Sequence, residues 1–135
     1  MVNYLIGNIA ERRKNVLKIE YKNDKVKGQC TSVKAAKKLF GGDETLATCL
    51  HSRVNALENA DTSRDIIVQT RFRFHELRGK LRGYFAIDVK TRREPWRIIL
   101  QPLGEMKEPY NPCNIDEMSG IVRIVEITEV SKHYE

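Results

Sequence analysis

Residues 71–101 read RFRFHELRGKLRGYFAIDVKTRREPWRIILQ, and their pattern decides the fold class. Three strand-like runs, 72–77, 84–89 and 96–101, are separated by two short polar stretches. Gly79 and Gly83 supply turn freedom between the first two runs. KTRREP, residues 90–95, makes the second turn. Strands joined this closely pair antiparallel. The stretch carries nine cations (Arg71, Arg73, Arg78, Lys80, Arg82, Lys90, Arg92, Arg93, Arg97) against Glu76, Asp88 and Glu94. A lone His75 sits among them. A sheet face with that charge around one titratable imidazole suits a polyanion and phosphodiester chemistry better than a small neutral ligand.

Upstream, residues 17–21, LKIEY, alternate apolar and charged side chains, which predicts a half-buried strand. Asn23 or Asp24 can cap a helix whose apolar positions include Val26, Cys30, Val33 and Phe40, ending at Gly41-Gly42. Lysines fill its outer face, the usual composition of a solvated surface. A second helix begins at Asp43 or Thr45, with Leu46, Cys49, Leu50, Val54 and Leu57 on one face. The short Gly-Gly connection predicts an antiparallel helical hairpin.

Downstream, residues 102–120 hold three of the four prolines and read as a long excursion before a last strand at 121–128. The expected fold is α+β. An N-terminal strand and a two-helix hairpin pack on one face of an antiparallel sheet of about four or five strands. The other face is left to act.

Composition narrows the function. The chain has 135 residues, 41% apolar, enough for one domain with its own core. A net charge of +6 favours nucleic acid or an acidic partner. That charge is uneven, since from 105 onward seven acids outnumber Lys107, Arg123 and Lys132. No apolar run is long enough to span a membrane, and the start lacks the pattern of a secretory signal, so a cytoplasmic location is expected. Cys30, Cys49 and Cys113 are widely spaced and lack a CxxC pair, which supports neither a zinc site nor a disulfide framework. Cys30 and Cys49 read as small core residues, while Cys113, after a proline in a loop, can lie at the surface. No metal site and no cofactor are expected. Residues 1–14 stand apart from the domain expected over 15–135. They read either as a docking arm or as sequence ahead of a true start near Val16 or Leu17.

Several stretches carry a resemblance. FHELRGKLRGYFAIDV followed by PWRIILQP is similar to the histidine–leucine–basic–glycine strand, glycine-aromatic strand and tryptophan-arginine strand of the HigB/RelE family of bacterial toxins. AAKKLFGG and the terminal EVSKHYE also resemble Gram-positive members. The likeness runs from about Leu17 to Tyr134. It implies a RelE-like fold and a type II toxin that cuts mRNA in the ribosomal A site. It also implies neutralisation by a HigA-type helix-turn-helix antitoxin. The N-terminal residues have no family counterpart, and the 102–120 excursion exceeds that of the shortest members. Several members end in tyrosine-histidine, where this chain has His133-Tyr134.

Cutting RNA without a metal requires a base for the 2′-hydroxyl, cations for the phosphate and an acid for the leaving 5′-oxygen. His75 is the candidate base, since surrounding positive charge favours a neutral imidazole; otherwise it is a satisfied structural histidine. Arg78 and Arg97 are the candidate phosphate clamp, matching phosphate with paired hydrogen bonds. The alternative for Arg97 is a salt bridge with Glu76 or Asp88. His133 and Tyr134 are the candidate acid or positioning groups, or else a frayed tail. Lys80, Arg82, Lys90, Arg92 and Arg93 are expected to hold RNA backbone, or to be solvated turn residues. Tyr84 either stacks on a base or joins the core. Trp96 and Phe85 are assigned to packing, and His51 to the surface. Two other functional classes share this composition. One is a fold of this type that blocks the ribosome or another target without catalysis. The other is a structural RNA-binding module.

Overall fold

The computed structural model describes residues 16–110 and 113–133. The expected extension at 1–14 and the candidate Tyr134 lie outside the described residues. Strand β1 spans Lys18–Tyr21. It leads into α1 at Asp24–Thr31 and α2 at Val33–Leu39. The sequence predicts one helix here, but Ser32 divides it. Ser32 is extended (φ −114°, ψ 125°), and its hydroxyl accepts from Ala35 N, so it closes α1 and caps α2 together. A serine that can bond the nearby backbone competes with continuous helix, which apolar spacing alone does not register. Gly41 and Gly42 then take positive φ (64° and 93°), the left-handed backbone that ends a helix cheaply only with glycine.

Helix α3, Glu44–Asn59, is capped by the Asp43 carboxylate on Leu46 N at 3.1 Å. It buries Leu46, Leu50, Val54 and Leu57 on the expected face. Each such side chain contributes about 1.5–3 kcal/mol relative to exposure. A short α4, Arg64–Ile67, and a 3-10 turn, Thr70–Phe72, follow.

The remaining strands are β2 (His75–Glu76), β3 (Phe85–Asp88), β4 (Trp96–Leu103) and β5 (Ile124–Lys132), with the short helix α5 (Ile115–Gly120) ahead of β5. They form a five-stranded sheet in the order β1-β5-β4-β3-β2. The architecture is α+β, as expected, but the sheet is mixed. β1 runs parallel to β5 (Lys18 opposite Ile124), while the other pairs are antiparallel. Alternation within LKIEY predicts a strand but carries no information about its neighbour.

Residues 72–77 also depart from the predicted continuous strand. Phe72 is buried in the 3-10 turn, and Arg73 is left-handed at φ 47°, ψ 52°. Only His75 and Glu76 then pair with β3. Phe72 and Phe74 still pack inward, Phe74 stacking on Phe85 at 5.1 Å. The alternation therefore reported burial rather than extended backbone.

Phe85, Ile87, Ile98, Leu100, Val125, Ile127 and Val130 line the sheet's helix-covered face, within the main core. Trp96 joins them edge-on to Phe40 at 4.9 Å. On the opposite face Leu77, Ala86 and Ile99 form a smaller cluster, flanked by Leu81 and Tyr84.

Cys113 is buried rather than exposed, and burial pushes its thiol up to about 11. The excursion that carries it includes α5. That helix begins with a capping box in which Asn114 Oδ1 accepts from Glu117 N at 2.9 Å and Glu117 Oε1 accepts from Asn114 N at 3.3 Å. Asn114→Ala is expected to lower stability by about 1 kcal/mol. The urea midpoint should fall with the slope unchanged.

Candidate functional site

The geometry starts from Asp88, the last residue of β3. It faces Arg97 across the β3–β4 register, so both side chains project from the open sheet face. Both are sequestered, Asp88 at 2% exposure and Arg97 at 3%. Arg97 Nε lies 3.2 Å from Asp88 Oδ1. Its Nη1 donates to the Trp96 carbonyl at 2.9 Å and to that of Glu94, and its Nη2 to the Arg92 carbonyl at 3.0 Å. The KTRREP turn is thus folded around this guanidinium. Arg97, expected in a phosphate clamp, is occupied within the fold. Of the two carboxylates offered as its alternative partners, Asp88 holds it. Glu76 instead accepts from Ile115 N at 2.7 Å, at the start of α5.

Asp88 takes a second arginine. Arg73 Nε lies 3.1 Å from each carboxylate oxygen, and its Nη2 lies 3.0 Å from Oδ1. A planar guanidinium meeting a carboxylate through two nitrogens is the strong, orientation-specific form of ion pair. Arg53 reaches the same corner from α3. Its Nε donates to the Asp88 carbonyl at 3.1 Å and its Nη2 to that of Lys90 at 3.3 Å. Arg53 and Arg71 both stack on Phe72, at 4.6 and 4.9 Å from the ring centroid. Burial first, then the Arg71 charge, push Arg53 below its usual value.

His75 sits in β2 opposite Ala86, half-buried. Its Nδ1 lies 2.6 Å from the Arg73 carbonyl oxygen. A carbonyl can only accept, so Nδ1 carries a proton, and the tautomer this contact selects for an uncharged ring is the one with the lone pair on Nε2. That is the tautomer a general base needs. Nε2 has almost no solvent-accessible surface, so a substrate must uncover it.

The other expected residues fall into three groups. Arg78, Lys80 and Arg82 are exposed around the 3-10 turn Gly79–Leu81, beyond β2. Lys90, Arg92 and Arg93 are exposed on the turn between β3 and β4. The two cationic turns therefore lie at opposite ends of β3, with His75 between them, and do not converge. Tyr84 is half-buried and packs against the Leu77–Ala86–Ile99 cluster. His133 donates its N–H to the Pro95 carbonyl at 2.8 Å. Two strands, β3 and β4, lie between His75 and β5, and His133 is four residues beyond Glu129, the β5 position level with His75. His51 is half-buried, with Nε2 3.1 Å from the Gln29 carbonyl oxygen.

Sequence reading missed Arg73, Arg53 and the double duty of Asp88. A single acid inside the apolar run FAIDV was the available signal for Asp88. Arg53 offered none. Among the described residues no group of three or more His, Cys, Asp or Glu could hold a metal ion. No helix of the described residues is long and apolar enough to cross a membrane. A scan against protein-family models and a search of curated proteins found no match to this chain.

Proposed function

We propose that the chain is a toxin of a type II toxin–antitoxin pair, of the HigB/RelE kind it resembles in sequence, and that it cuts mRNA on the ribosome without a metal. The observation that carries this reading is His75. Its Nδ1 is fixed on a carbonyl, on a sheet face flanked at both ends by exposed cations. Nε2 takes the proton of a ribose 2′-hydroxyl as that oxygen attacks the adjacent phosphorus. The O2′–P bond forms and the P–O5′ bond breaks. Arg78, exposed beyond β2, balances charge on the phosphate oxygens. Arg97 serves at one remove, by holding the 90–95 turn and Asp88 in place. His133 is the candidate donor of a proton to the departing 5′-oxygen, once the tail comes to the substrate. Tyr134 remains the alternative donor. The partners on this reading are the ribosome, mRNA and a HigA-type helix-turn-helix antitoxin, all in the cytoplasm.

This chemistry leaves a 2′,3′-cyclic phosphate and a 5′-hydroxyl. After incubation with programmed ribosomes, new mRNA 5′ ends should accept phosphate from a kinase without prior dephosphorylation. Ends that need dephosphorylation first would contradict attack by the 2′-oxygen.

The closed Nε2 and the occupied Arg97 favour a second reading, a protein of this fold that arrests the ribosome or another target by binding alone. Growth arrest with intact mRNA, retained in His75→Ala, would select it. Both readings predict salt-sensitive RNA binding. Arg92→Gln and Arg93→Gln should each reduce the slope of log affinity against log salt by about 0.7, the value for one single-strand phosphate contact. Titration by fluorescence anisotropy at several salt concentrations measures it.

A further inference from the structure

We infer that Asp88 and Arg73 act together as a positioning device that selects the proton location on His75. The chain of contacts is short. Asp88 is almost fully buried and is also paired with Arg97. It grips the Arg73 guanidinium with both oxygens at 3.1 Å. Arg73 is one of two non-glycine residues with positive φ among the described residues. A side chain held in that region implies that surrounding structure enforces it. The left-handed turn aims the Arg73 carbonyl back at His75 Nδ1, two residues on, at 2.6 Å. The carboxylate therefore never touches the imidazole. It acts through the backbone of the arginine it holds, whose carbonyl on Nδ1–H is a common means of fixing a histidine tautomer.

Three features argue that this is more than packing. First, a salt bridge alone would be satisfied by Arg97 and would not require a left-handed Arg73. Second, Arg53 braces the same corner by donating to the carbonyls of Asp88 and Arg71, so one side chain ties β3 to the turn before Arg73. Third, the product is a defined chemical state, with Nδ1–H fixed and Nε2 as the proton acceptor. Unrestrained neutral imidazole favours the opposite tautomer. The catalytic value of the device rests on the function proposed above, whereas the tautomer does not.

The experiment is nitrogen-15 NMR of the imidazole side chains in the full-length protein at alkaline pH. His75 is assigned by loss of its signals in His75→Gln. Wild type should show His75 chiefly as the Nδ1–H form. Arg73→Gly keeps the left-handed backbone accessible, removes the guanidinium and leaves Asp88 paired with Arg97. It should move His75 to a mixture dominated by Nε2–H. Asp88→Asn should do the same where the variant folds. Arg78→Gly, on an exposed residue, should leave the His75 spectrum unchanged. An Nε2–H form in wild type overturns the device outright. So does a folded Arg73→Gly that keeps the wild-type spectrum. If wild type shows Nδ1–H yet ribosomes yield no cleaved mRNA, the catalytic reading fails and the positioning device stands.

Discussion

Asp88→Asn should lower folding stability by about 3–5 kcal/mol, a large share of the 5–15 kcal/mol typical of a domain. The expectation comes from what would be left behind. Asp88 is the carboxylate held by both Arg73 and Arg97, and Arg97 is 3% exposed. Removing the negative charge takes from a buried guanidinium the carboxylate that it shares with Arg73, and an arginine cannot escape by giving up its proton. The carbonyls of Arg92 and Trp96 would still accept from it, but they carry no net charge. The loss should show in urea denaturation followed by circular dichroism. Arg78→Ala, on an exposed cation of the same hairpin, should change stability by no more than about 0.5 kcal/mol. Equal and small effects from both variants would mean that the Asp88 corner does not organise the fold.

The second large effect concerns chemistry. His75→Ala should slow mRNA cleavage by about 10²- to 10⁴-fold, the usual contribution of a positioned general base. The fold should survive, since the ring is half-buried and its Nδ1 contact is worth about 1 kcal/mol. The two substitutions thus separate cleanly. Asp88 is expected to fail mainly in stability, and His75 mainly in rate. His75→Ala that unfolds would point instead to a structural histidine, the alternative the sequence left open.

Much of the scaffold was legible because it rests on periodicity. The apolar stripe of α3 and the Gly41-Gly42 stop predicted what forms, since burial spacing and positive φ leave direct marks in sequence. The break at Ser32 was hidden because the apolar residues on either side keep helical spacing across it. Phe72 and Phe74 mimicked a strand because alternation reports which side chains are buried, and a left-handed Arg73 can preserve that alternation without extended backbone. The parallel β1–β5 pair is a long-range choice that no local pattern encodes. At the site, the cations were easy to count but hard to place. Two turns on either side of one strand must lie at its opposite ends, so a cationic surplus in sequence does not become a single patch in space. Arg97 looked like a ligand for phosphate because an arginine in an apolar strand needs a partner. That partner proved to be Asp88, directly opposite in the register.

The central claim is that His75 removes a proton from ribose during mRNA cleavage. Single-turnover cleavage on programmed ribosomes, comparing wild type with His75→Ala at matched occupancy, tests it most directly. Rapid scission by wild type and a rate at least about a hundredfold lower for the variant are the predicted results. Equal rates for the two proteins, or intact mRNA with both at saturating concentration, would contradict it.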